Sequence, residues 1–229
     1  MVLILKKWDD IPETLKNENT KYYYDVLKGK KLDLFLKRLF DFILAIILLV
    51  LLLPVFFVIA ILVKLTSKGP ILYKQERVTT YGKTFNIFKF RTMVENADKI
   101  GSLVTVENDY RLTKVGHFLR KVRIDEIPQL FNVILGQMSF VGTRPEVPKY
   151  VAHYSDEMFA TLLMPAGITS LASIGFKDED QYLSNESVEE VYINKILPDK
   201  MEYNLEYIKK FNLFYDFKLM VKTVLAVLN

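Results

Sequence analysis

From Phe42 to Val63 the chain carries twenty-two consecutive residues without a charge. At about 1.5 Å per residue a helix of that length covers roughly 33 Å, against a hydrocarbon core of about 30 Å. It begins too deep in the chain for a secretory signal, and no small-residue cleavage site follows it. Pro54 removes a backbone donor near its middle and predicts a kink there. Lys37 and Arg38 precede the segment and Lys64 and Lys68 follow it, so the positive-inside rule assigns both ends to the cytoplasmic side. Two topologies are open on these residues: a helix that enters, bends and returns, or an ordinary tilted span with a tolerated proline. The first requires a polar partner or the protein's own surface near the bend, because freed carbonyls are costly in hydrocarbon.

After Lys64 the pattern becomes that of a globular domain. Pro70 to Lys74 and Lys83 to Phe90 read as a small strand pair around Tyr81-Gly82. Residues 94–110 read as a connection, and from Leu112 apolar residues recur at three and four. LTKVGHFLRK, IPQLFNVILGQM and VPKYVAHYSDEMFATLLM are accordingly expected as helices, and PAGI, residues 165–168, as a turn that either brings its backbone close to a ligand or merely ends the last of them. Asp178, Glu179 and Asp180 read as a helix start. Near the end, YDFKLMVKTVLAVLN puts Phe217, Met220, Val221, Val224 and Leu225 on one face with Lys218 and Lys222 beside it, the pattern of an interfacial helix or of a helix packed on the core. The expected division is a leader over 1–36, a membrane helix over 37–64 and a globular domain over 65–229. The class is α+β, mostly helical.

Composition narrows the chemistry. A chain of 229 residues that is 51% hydrophobic and 25% charged affords a packed core and excludes a disordered or low-complexity polypeptide. Zero cysteines and two histidines, His117 and His153, exclude a disulfide framework, a thiolate cluster and a multi-histidine metal site. Charge is uneven: residues 1–38 carry +3, 64–150 carry +7 and 151–229 carry −5, so the middle third is built to face anions.

The most pointed pattern is RKVRIDEIPQL, residues 120–130, where Asp125 and Glu126 follow three basic residues and precede Pro128. Proline favours a helix's first turn, so either carboxylate serves equally well as a plain helix cap. Basic and polar groups lie beside strand and turn signals around it: Gln75 and Arg77, Lys89 and Arg91, and Arg144. A carboxylate nucleophile near such cations, in a membrane-anchored chain, suits attack on a phosphate whose charge is neutralised. Mg²⁺ is commonly held by one or two carboxylates plus substrate phosphates, and the acidic pair offers that set, with Asp125 as ligand. There is no dinucleotide-binding glycine motif, Walker loop or G-x-S-x-G elbow.

Taken in order, KRLFDFILA, a proline within the apolar run, GPILYKQERV, YGKTFNIFKFRTM, LTKVGHFLRKVRIDEIPQLFNVILGQMSFVGTRPE, PAGIT and NLEYIKKFNLFYDFKLMVKTV resemble the bacterial sugar transferases, the small monotopic phosphoglycosyl transferases. The resemblance covers residues 37 to about 225. It implies transfer of a sugar phosphate from a nucleoside diphosphate sugar, expected to be a UDP-sugar, onto a polyprenyl phosphate, expected to be undecaprenyl phosphate. It implies Asp125 as the nucleophile that carries a covalent phosphosugar, Glu126 as the group that positions or deprotonates the acceptor, and Mg²⁺ bound at Asp125. Lys89, Arg91 and Arg144 match phosphate-site positions, with Gln75 and Arg77 expected beside them. It also implies a re-entrant helix broken at Pro54, a cytoplasmic domain with interfacial helices, contact with membrane lipids, and a place on the cytoplasmic face of the bacterial inner membrane. Leu53 and Thr143 depart from the serine and proline common in the family, and SLASIGFKDEDQ departs from its tryptophan-containing stretch. Nucleic acid is not an expected partner, since no recognition module is present. The alternative is a catalytically silent scaffold for glycan assembly.

Overall fold

The computed structural model describes residues 5–97, 100, 109–176 and 188–228. Most of the connection expected over 94–110 and the helix start expected at Asp178 to Asp180 lie outside the described residues. The chain opens with two short 3₁₀ turns, Trp8–Asp10 and Glu13–Leu15, and helix α1, Glu18–Lys28. Asn17 caps α1 by accepting a hydrogen bond from the Thr20 amide at 2.7 Å, the usual way of satisfying a free first-turn donor. Leu5, Ile11, Leu15, Tyr23, Tyr24 and Leu27 all enter the main hydrophobic core, so this leader is part of the globular unit.

Helix α2 spans Lys31–Thr66 and contains Pro54 without an interruption of helical assignment. Only 11% of its most apolar eighteen-residue window is buried in the protein, which separates it from an ordinary core helix and fits a membrane anchor. Its two halves pack differently. Leu34 and Ala45 join the main core, whereas Ile59 and Val63 build a second cluster with Phe90 and Leu119, against which Phe56, Ile124 and Ile127 pack.

Strands β1, Leu72–Val78, and β2, Thr84–Phe90, form the antiparallel hairpin, with Gln75 opposite Ile87 and Tyr73 opposite Lys89. Helix α3, Lys114–Lys121, is capped by Thr113, and α4, Gln129–Ile134, follows Pro128. Two stretches differ from expectation. Met138–Val141 is strand β3, paired in parallel with β4, Ala166–Thr169, so PAGI leads into a strand and is not merely a turn. All four residues of β3 are buried, and a run that short shows no alternation to read. The second is VPKYVAHYSDEMFATLLM, which is not one helix. It divides into α5, Pro148–Val151, and a 3₁₀ stretch, Met158–Leu163. The turn between them presents the Asp156 carbonyl to Asn17 Nδ2 of the leader at 3.0 Å.

The remaining helices are α6, Leu171–Gly175, α7, Val188–Val191, a π-helical turn Tyr192–Ile196 running into α8, Leu197–Lys210, and α9, Leu213–Leu228. Phe214, Val221, Val224 and Leu225 of α9 are exposed, and Phe217 stacks edge-on with Phe40 of α2 at 4.6 Å, so the bare face of α9 is continuous with that of α2. A buried network ties these two helices to β3. Lys37 Nζ donates to Asp216 Oδ2 at 2.5 Å and to the Val141 carbonyl at 2.8 Å, and Tyr207 donates to Asp216 Oδ1 at 2.8 Å.

Candidate active site

The acidic pair sits on a 3₁₀ turn, Ile124–Glu126, between α3 and α4. Arg123 enters that turn with φ 59° and ψ 14°, a left-handed conformation costing a non-glycine residue roughly 1–2 kcal/mol. The reversal follows α3 at once and swings Asp125 and Glu126 toward β2. Ile124 and Ile127, on either side of the pair, pack against the cluster that Ile59 and Val63 of α2 form with Phe90 and Leu119, so the turn is seated on a core shared with the C-terminal half of α2. Helix α4 is held from the other half: Arg38 donates to the Val133 carbonyl at 2.6 Å and the Ile134 carbonyl at 3.0 Å, capping its last turn. Gly136, at φ 77°, completes the cap, and a Cβ there would meet Arg38 Nη2 at 3.1 Å.

Two cations from different elements converge on Glu126. Its Oε1 accepts from Lys89 Nζ of β2 at 2.9 Å and from Arg144 Nη2, on the loop after β3, at 2.6 Å. Arg144 Nη1 also reaches the Ile168 carbonyl of β4 at 3.5 Å. This loop approaches β4 closely: a Cβ on Gly142 would lie 2.3 Å from the Pro165 carbonyl, and one on Gly167 2.2 Å from the Gly142 amide. The Lys89 and Arg144 side chains stay 21% and 28% exposed while Asp125 is 6% exposed, so the cations are the more accessible groups of the site.

Asp125 is not a helix cap. It accepts no hydrogen bond at the turn and makes no hydrogen bond or ion pair with any described residue. Burial pushes its carboxyl above the ordinary aspartate range, with Lys89 the strongest influence in the other direction and Glu126 adding to the rise. For Glu126 burial has the same sense, but Arg144 and Lys89 together overcome it and hold the group well below the ordinary glutamate range. Burial lowers the Lys89 ammonium, against the pull of Glu126. One carboxylate is thus fixed as an anion by two cations, and its neighbour is left uncommitted.

The other expected residues fall elsewhere. Arg91 is buried and away from this group: its guanidinium donates to the Ser67 carbonyl and hydroxyl, each at 2.8 Å, and to the Pro70 carbonyl. It ties down the chain leaving α2. Gln75 and Arg77 stand next to the site but bind each other, Arg77 Nη2 to Gln75 Oε1 at 2.6 Å, and Arg77 Nη1 holds the Pro145 carbonyl at 2.9 Å. His117 and His153 are exposed. Glu146, Tyr192 and Lys200 were not singled out from sequence, whereas the Ile168 carbonyl belongs to PAGI, whose backbone was. Only the first had a local signal, its place directly after Arg144-Pro145.

A helix-anchored domain bearing a cation-ringed acidic pair defines the class to which the site belongs. The chain is a member of the bacterial sugar transferase family, whose profile matches residues 32–229. It is 39% identical over 199 residues, 84% of its length, to a UDP-glucose:undecaprenyl-phosphate glucose-1-phosphate transferase of Klebsiella pneumoniae, of which 40% is covered. It is 34% identical over 199 residues, 85% of its length, to a UDP-N-acetylgalactosamine-undecaprenyl-phosphate N-acetylgalactosaminephosphotransferase of Aeromonas hydrophila, of which 44% is covered. It is also 34% identical over 193 residues, 84% of its length, to an uncharacterized sugar transferase, EpsL, of Bacillus subtilis, here covering 87% of the relative. The chain spans about two fifths of the length of the first two relatives.

Proposed function

We propose that this chain transfers a sugar-1-phosphate from a UDP-sugar to undecaprenyl phosphate at the cytoplasmic face of the membrane, through a phosphosugar carried on Asp125. The observation that carries the reading is the uncommitted Asp125 carboxylate beside a Glu126 already neutralised by Lys89 and Arg144, in a family whose named relatives act on UDP-sugars and undecaprenyl phosphate. An Asp125 oxygen attacks the β-phosphorus, the bond to the bridging oxygen breaks, and uridine monophosphate leaves with that electron pair. A phosphate oxygen of the polyprenyl acceptor then attacks the same phosphorus, and the Asp125 carboxylate is released. Lys89 and Arg144 screen the donor's negative charge. Glu126 holds these two cations beside Asp125 and positions or deprotonates the acceptor phosphate.

Mg²⁺ fits the donor set: Asp125 and Glu126 are adjacent carboxylates, one of them unengaged, and substrate phosphates complete the usual coordination. When bound, the ion supplies charge neutralisation at the diphosphate. A re-entrant α2 is supported by its cationic flanks and by its contacts. Arg38 and Phe56 lie about 27 Å apart on a straight helix, yet one binds Val133 and the other stacks with Phe131, both on α4. The exposed face of α9, rimmed by Lys218 and Lys222, suits the lipid interface. A silent scaffold is not favoured, since it leaves the uncommitted carboxylate without a use.

The test is a panel of UDP-sugars incubated with undecaprenyl phosphate and Mg²⁺, scored by uridine monophosphate release. No release with any donor would refute the reading. The acid limb of the donor half-reaction is expected above the ordinary aspartate value of about 3.9, because Asp125 must ionise against its burial. Lys89→Met removes the strongest downward pull and moves that limb to higher pH. A limb that stays put or moves down in pH–rate profiles refutes the assignment.

A further inference from the structure

Behind Arg144 lies a second buried charged cluster that the proposed chemistry leaves unused. Glu146, two residues on, is 5% exposed; its Oε1 accepts from the Tyr192 hydroxyl at 2.6 Å and lies 3.6 Å from Lys200 Nζ. Lys200 Nζ also donates to the Tyr192 hydroxyl at 3.1 Å, and Glu146 Oε2 stands 4.0 Å from Arg77 Nη1. The loop itself is fixed to β1 on both sides of this carboxylate, Arg77 Nη1 to the Pro145 carbonyl and the Val78 amide to the Glu146 carbonyl, each at 2.9 Å. Tyr192 opens the π-helical turn, and its ring packs 4.7 Å from that of Tyr150 on α5. The wider turn slows the winding, so Tyr192 and Lys200, eight positions apart, meet one carboxylate.

Electrostatics gives the arrangement a purpose. Arg77 lies near enough to Arg144 to disfavour its charge, and Glu146 is the strongest favourable partner Arg77 has. Without Glu146, Arg77 would lose its strongest favourable partner and repel the Arg144 guanidinium at the front of the loop. We propose that Glu146, held by Tyr192 and Lys200, is a positioning residue that sets Arg144 for the donor diphosphate, making the π-helical segment part of the donor-binding machinery. The inference rests on the function proposed above.

The test is a double-mutant cycle on the full chain in lipid nanodiscs, with the UDP-sugar that the panel selects. Tyr192→Phe keeps the ring and removes the hydroxyl. It is expected to raise the donor KM on the order of tenfold with kcat little changed, as lost placement of a binding group does. In an Arg144→Lys background the same change adds less than about twofold, because both act on one step. Lys200→Met, run through the same cycle, serves if Tyr192→Phe does not fold, and Glu146→Asp regains part of what Glu146→Ala loses. Equal losses with and without Arg144→Lys, or a fall in kcat at unchanged KM, would overturn the inference and leave the proposed function standing. A wild-type chain inactive with every donor would overturn the function and this inference with it.

Discussion

Asp125→Asn is expected to lower turnover on the order of 10⁴-fold, the scale seen when an essential member of a catalytic group is removed. The carboxamide keeps size and shape but offers no anionic oxygen to phosphorus. Wild-type protein incubated with donor alone should gain the mass of one phosphosugar, and the Asn variant none. The fold should not suffer. Asp125 bonds to no described residue, so nothing is left without a partner. Its folded-state carboxyl is raised by burial, so any stability linked to it is present at low pH and lost as pH rises through the folded value. At neutral pH the variant should therefore melt at the same temperature as the parent or higher, a stability gained where activity is lost. Normal turnover by Asp125→Asn, or a donor adduct mapped to another residue, would refute the nucleophile.

Lys37→Met should have the largest effect on stability. Lys37 and Asp216 side chains are 2% and 5% exposed, and Asp41, 4.0 Å from the ammonium, is 3% exposed. Removing the cation leaves two carboxylates inside the protein and strips the Val141 carbonyl of a donor. Breaking a buried pair from one side costs about 3–5 kcal/mol, to be read from denaturant midpoints in a fixed detergent. Adding Asp216→Asn should restore part of the loss, because one uncompensated charge goes with it. A single variant within about 1 kcal/mol of the parent would show that the network is not what joins α2 and α9 to β3.

What was legible in the sequence follows the range of the interactions. The apolar stretch, the hairpin and α3 are announced by local pattern, and the acidic pair by its neighbours. Strands β3 and β4 were not visible because four buried residues have no period. Arg91 and Arg144 look alike as isolated arginines beside turn signals, yet one ties down the chain leaving α2 and the other clasps Glu126. The difference arises from partners 24 and 18 positions away. Glu146 meets Tyr192 across 46 residues, a separation at which no spacing rule speaks.

The isoleucines flanking the acidic pair lean on the same helix that runs through the apolar region, and the short helix after them is clasped from that helix's other half. The turn that bears Asp125 and the helix that follows it are therefore both referred to α2. On the proposed function, a change in the depth of α2 would carry the Asp125 carboxylate with it.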